Sequence, residues 1–162
     1  MIHDKNILFS KRHNTRLLAV SVMYDIDLNS SINEEDKHLV IENTISDVLM
    51  MTQTEFLSDE LDELYDQSFL RQLVNKCYLE LDVVDNLIIN SLVKWSLDRL
   101  SYVDRAIIRI ATAEMLLKET PKNVIIDEAL EMTKELTSVE KDMQVKFNNR
   151  LLENIAGKVY GN

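Results

Sequence analysis

Two glycines, Gly157 and Gly161, and a single proline, Pro121, stand in 162 residues. Sheet proteins place these residues at hairpins and bulges. Their scarcity argues against a turn-rich β architecture and points to helices joined by short connections. It also excludes a glycine-rich phosphate loop. Cys77 is the one cysteine. A lone thiol builds no disulfide framework and suits a reducing compartment. No signal peptide and no apolar run long enough to span a membrane is readable, so a cytoplasmic location away from membranes is expected. His3, His13 and His38 lack metal-ligand spacing. Acidic pairs such as Asp127-Glu128 are ordinary on helices, and no nucleophile–base signature is visible. The expectation is a protein without metal, cofactor or catalytic residues that works by binding macromolecules. Cys77 falls on an apolar stripe and reads as a core thiol.

What is present is charge, unevenly placed. The net charge is −10, which taken whole disfavours nucleic acid. Yet Lys5, Lys11, Arg12 and Arg16 face only Asp4 in residues 1–23, whereas residues 24–66 are crowded with acids and hold Lys37 alone as a base. The local field, felt within roughly 8–10 Å, governs association more than the sum. The N-terminal arm is therefore a basic candidate on an acidic protein.

The pattern along the chain predicts an all-α fold of roughly seven amphipathic helices in one domain, residues 1–162, with residues 1–9 as a flexible arm. The first helix is predicted from Ser10 or Asn14 to Leu28. A second follows Asn33, a plausible N-cap before Glu34, Glu35 and Asp36, and runs to Met51. Residues 52–66 read as a solvated linker or an exposed helix face. Leu70, Leu73, Val74, Cys77, Leu81, Val84, Ile88, Leu92 and Trp95 recur at helical spacing, which predicts one long helix with Trp95 in the core. Ser101 and Asp104 have capping-box spacing. The stripe Val103, Ala106, Ile107, Ile110, Ala113, Leu117 predicts a helix that stops near Glu119, before Pro121. Thr120-Pro121 suits the N-cap and first position of the next helix, with Val124 or Ile125, Ala129 and Leu136 inward. Thr137 with Glu140 repeats the box spacing. The last helix is expected to bury Phe147, Leu151 and Ile155 and to end at Gly157.

Two segments carry a specific likeness. The first is Trp95, Arg99, Leu100, then Val103-Asp104-Arg105-Ala106-Ile107-Ile108-Arg109-Ile110-Ala111 and Glu114. The second is Pro121, Val124, Ile126-Asp127-Glu128-Ala129 and Lys134, leading to Lys146-Phe147, Asn149 and Leu152. Together they resemble the NusB family of transcription antitermination factors. Lys11-Arg12-His13-Asn14-Thr15-Arg16-Leu17-Leu18-Ala19, reaching Met23-Tyr24, falls into the register of that family's N-terminal helix.

The resemblance implies two packed helical subdomains. It implies binding of boxA in nascent ribosomal RNA together with NusE, a small-subunit ribosomal protein, within an RNA polymerase antitermination complex. Carried over residue by residue, RNA contacts fall on Lys11, Arg12 and Arg16 and on Lys146, Phe147 and Asn149. The NusE contact falls around Tyr24. The arm departs from the pattern: His13 and Asn14 interrupt the arginines, Leu17 stands where an acid is common, and Arg150 where glycine is common. These departures keep a second reading open, a protein-only helical interaction module with weak or lost RNA binding. Whether the free protein is a monomer or a homodimer is also open.

Arg12 and Arg16, four apart, share a helix face and are expected to be exposed. Lys146, Asn149 and Arg150 also share one face. Phe147 fits either the core or a base or partner contact. Arg109 lies beside an apolar stripe and needs a partner if buried; Glu128 on the following helix is the candidate.

Overall fold

The computed structural model describes residues 4–29, 36–53 and 62–161. Among these residues all regular structure is helical. The chain order is α1 (Asp4–Leu28), α2 (Lys37–Gln53), α3 (Gln67–Leu79), α4 (Leu81–Ser91), a 3-10 turn (Leu97–Arg99), α5 (Tyr102–Leu117), α6 (Lys122–Leu136) and α7 (Lys141–Tyr160).

Helix α1 begins earlier than the pattern suggests. No glycine or proline interrupts residues 4–10, so the backbone is already helical there. Residues 1–3 of the expected arm lie outside the described residues, as does Asn33 with Glu34 and Glu35. Asp36 caps α2 in their stead: its Oδ1 accepts from the Leu39 amide at 3.2 Å.

The long helix expected from Phe69 to Trp95 is two helices. Asp66 caps α3 by accepting from the Phe69 amide at 3.0 Å. Helix α3 then breaks at Glu80 (φ −113°, ψ 35°), and α4 ends at the extended Leu92. Both segments bury the same stripe, Leu73, Val74 and Cys77 before the break and Val84 and Ile88 after it. The apolar period therefore survives an interruption it does not reveal. Trp95 lies beyond α4 and is 43% exposed, so its expected core position is corrected.

The Ser101 hydroxyl accepts from the Asp104 amide at 3.1 Å and donates to Asp104 Oδ2 at 2.7 Å, as the box spacing predicts. Lys118, left-handed at φ 57°, ends α5. Pro121 is the N-cap of α6, one position before the first helical residue. The second expected box is absent. Thr137 instead ends α6, and α7 starts from Glu140 (φ 52°) with no side-chain cap. Gly157 is not the end of α7 either. The helix passes through it to Tyr160, and Gly161, at φ +73°, supplies the terminal conformation glycine favours.

Helices α1, α2 and α3 pack together, as do α4, α6 and α7, and α5 touches both groups. Ile107 and Ile110 on α5 are fully buried, as their stripe predicts. On α5 every residue from Ala106 to Met115 is buried. A helix apolar on nearly all sides is buried on all sides, and here that makes α5 the shared core of two helical groups. Ile125 faces this core while Val124 is exposed. Cys77 is fully buried, and burial pushes its thiol up to about 12. No helix among the described residues is long and apolar enough to cross a membrane.

Candidate nucleic-acid interface

The basic arm is built on α1, which α3 and α5 hold in place. Thr15 Oγ1 accepts the Asp66 amide at 2.9 Å, and Asn14 Nδ2 donates to the Leu64 carbonyl at 3.1 Å. Arg12 is exposed and Lys11 half-buried. The Arg12 guanidinium sits 4.1 Å from the centre of the Phe69 ring, a cation–π contact that fixes its direction.

Arg16 departs from the expectation of a shared exposed face. It is 4% exposed, and its Nε and Nη2 donate to the two carboxylate oxygens of Glu114, each at 2.8 Å. Glu128 approaches its Nη1 at 3.6 Å. The four-residue spacing was correct; the packing of α1 on α5 turned one of the two arginines inward. An uncompensated buried guanidinium is costly, and two parallel hydrogen bonds compensate it.

His13, between them, was not among the expected functional residues. Its Nδ1 lies 2.5 Å from Glu128 Oε2 and its Nε2 2.6 Å from Glu135 Oε1. Neutral imidazole has one N–H, so both contacts are hydrogen bonds only when the ring is protonated. Burial pulls the imidazole pKa down, but the hydrogen bonds and charges of Glu128 and Glu135 outweigh it and the net direction is up. The imidazolium thus ties α1 to α6. No feature of the sequence pairs His13 with carboxylates more than a hundred residues away.

The expected Arg109–Glu128 pair does not form. Arg109 donates from Nε and Nη2 to the two oxygens of Asp85 on α4, both at 2.9 Å, and its Nη1 lies 3.4 Å from Asp27. Asp27 also accepts from Arg105 Nε at 2.7 Å. The need for a partner followed from burial, but α4 reaches Arg109 and α6 does not.

Helix α7 presents Lys146, Asn149 and Arg150, all exposed, as one polar face. Phe147 beside them is half-buried, between the two roles it fits. Its ring meets Trp95 edge-on, with centroids 6.2 Å apart and planes at 68°. The Arg99 guanidinium lies 3.9 Å over the indole. Below, Asn148 Nδ2 donates to Asp104 Oδ1 and Thr133 Oγ1, and Asn148 Oδ1 accepts from Gln144 Nε2. This network anchors α7 to α5 and α6 beneath the aromatic pair. Arg99 is legible only as part of the resemblance and Trp95 also as the end of an apolar stripe; their placement together is not legible in the sequence.

Tyr24 is half-buried on α1, edge-on to Tyr102 with centroids 6.3 Å apart. It borders a mostly apolar groove of about 400 Å³ with Val20, Val48, Met51 and Leu136 among the lining residues.

Among the described residues no group of side chains is arranged to hold a metal ion. The molecule is a helical scaffold with a basic helix end, a polar–aromatic face and an apolar groove, the class of all-α proteins built around binding surfaces. The particular family follows from comparison: the NusB family model matches residues 13–157, and the chain belongs to that family. The transcription antitermination protein NusB of Bacillus subtilis (strain 168) is 32% identical over 151 residues, 92% of this chain and 97% of that protein. The protein of the same name from Staphylococcus epidermidis is 38% identical over 110 residues, 68% of this chain and 82% of that one. The structure of T. maritima NusB superposes with a TM-score of 0.69 at 29% identity, covering 91% of each chain.

Proposed function

We propose that this protein is a cytoplasmic transcription antitermination factor that binds boxA RNA jointly with NusE and acts within the RNA polymerase complex, without catalysis of its own. The observation that carries this reading is the polar face of α7, where Lys146, Asn149 and Arg150 are exposed and Phe147 on the same helix is half-buried. Single-stranded RNA is held by backbone charge together with stacking and edge contacts to unpaired bases, and this face offers all three. Lys11 and Arg12 add phosphate contacts from α1. Arg16, turned to Glu114, serves by holding α1 rather than by meeting phosphate. The groove beside Tyr24 suits the partner protein, since half-exposed aromatics at apolar grooves anchor protein interfaces. The acidic balance of the chain repels RNA at long range, and a basic ribosomal partner offsets it.

The test is boxA binding across a salt series, with and without NusE. Each phosphate neutralised on a single strand contributes about −0.7 to the slope of log affinity against log salt. Replacing Lys11 and Arg12 by Ala is expected to flatten that slope by up to about 1.4 while leaving NusE binding intact. NusE binding without any RNA binding, alone or together, would instead favour the protein-only module.

A further inference from the structure

We infer that the cleft between Trp95 and the start of α7 is a seat for one unpaired nucleotide of the bound RNA, with the Trp95–Arg99 stack as its platform. The inference rests on the RNA-binding reading above and extends it to residues outside the two basic segments.

Three observations converge on this cleft. Trp95 is 43% exposed, although an indole is among the side chains most favourably buried. It is held rather than loose: Phe147 meets it edge-on, and the Arg99 guanidinium carbon lies over its ring, 3.9 Å from the centre. The cleft beneath encloses about 400 Å³, with Trp95, Arg99, Glu140, Met143, Gln144 and Phe147 in its lining. That volume lies at the small end of the range for small-ligand sites, roughly 300–1,000 Å³, and admits a nucleobase. Of the charged residues in the lining, Arg99 is the cation, against Asp104 and Glu140; Lys94 and Arg150 line a neighbouring cleft that shares Phe147.

Bases stack on aromatic rings and on guanidinium planes alike. A guanidinium already stacked on an indole offers a flat outer face to a base and its N–H edges to a phosphate. The ordering of this long side chain is done before RNA arrives, which removes part of the entropy cost of binding. Gln144 and Glu140 supply polar atoms at the edge of the seated base.

Trp95 is the only tryptophan of the chain, so its emission reports on this cleft alone in titrations with RNA. The probe is a short single-stranded boxA RNA, read by Trp95 fluorescence and, separately, by a labelled-RNA affinity measurement. Binding is expected to quench the emission. Trp95→Ala is expected to weaken affinity by roughly 5- to 100-fold, as loss of one base–aromatic stack does. Trp95→Phe should retain most of the affinity, and both variants should keep the parental melting temperature. A set of RNAs with one abasic nucleotide each should contain one position whose loss abolishes the quenching while the rest of the strand still binds. If RNA binds to the parent but Trp95→Ala binds it equally, or if emission stays constant at saturation, the seat does not exist. If emission responds to NusE and not to RNA, the cleft is a protein contact and the inference falls while RNA binding elsewhere stands. If no RNA binds with or without NusE, the RNA-binding reading itself fails and takes this inference with it.

Discussion

Replacing Arg16 by Met should destabilise the protein severely without removing an RNA phosphate contact. The Arg16 and Glu114 side chains are 4% and 2% exposed and share two hydrogen bonds of 2.8 Å. Without the guanidinium, the Glu114 carboxylate is left in the middle of the most deeply buried helix. Glu128, at 3.6 Å from Arg16, is an acid and offers no substitute. Breaking one side of a buried pair costs about 3–5 kcal/mol. A protein of this size loses about 2–4 °C in Tm for each kcal/mol, so the shift should be on the order of 6–20 °C. Glu114→Gln should cost a comparable amount by stranding the arginine. The double variant Arg16→Met/Glu114→Leu removes both charges and should recover most of the loss, because a well-packed apolar pair often replaces a buried ion pair without penalty. Urea unfolding of the four proteins closes the cycle, with a coupling energy of about 2 kcal/mol or more expected for groups in contact. The salt slope of RNA binding should be unchanged in Arg16→Met at a temperature where it is folded. Two results would refute this reasoning: a loss below about 1 kcal/mol in the single variant, or strict additivity in the double. Either would mean that Arg16 reaches solvent and is available to RNA.

Three further outcomes follow from other buried groups. His13 is raised above its ordinary value of 6.5 in the folded state, so its contribution is complete below about pH 6.5 and is lost as pH rises through the folded pKa. Melting temperature measured from acid to alkaline pH should therefore carry a downward step that His13→Asn abolishes, and an unaltered profile in the variant would disprove the link. Asp85→Asn should destabilise and should couple to Arg109→Met, whereas Glu128→Gln should couple to His13 substitutions instead; double-mutant cycles read both. Cys77, buried and pushed up to about 12, should resist thiol reagents at pH 8 in the native protein and react promptly in urea.

The sequence carried the helices more faithfully than their ends. The stripes of α5 and α7 led directly to Ile107, Ile110, Leu151 and Ile155 in the core, because burial imposes a period that residue types display. Glu80 displays nothing: it is a sound helix former, and the break there serves the packing of α4 against α5 and α7. Thr137 and Glu140 have a box's spacing, yet Thr137 closes one helix and Glu140 opens the next, since spacing alone does not say where a helix begins. Charged partners were the least legible. Burial of Arg109 and the demand for a counter-charge could be inferred from its place beside the stripe, but the choice among Asp85, Asp27 and Glu128 is made by helix crossing in space. The same holds for Arg16, whose inward turn depends on where α5 lies. Lys146, Asn149 and Arg150 were placed correctly on one face because that relation is internal to a single helix. Trp95 was misplaced because its position in the stripe extends past the residue where α4 stops.

The burial of α5 on every side bears on how the molecule comes apart. Its amides are shielded by both helical groups, so no local fraying of one group exposes them. Amide hydrogens of residues 106–115 should exchange only through global unfolding, while those of α2, which packs mainly on α1 and α3, escape through smaller openings. The two groups are thereby bound into one cooperative unit: a partner that grips either one steadies the whole molecule.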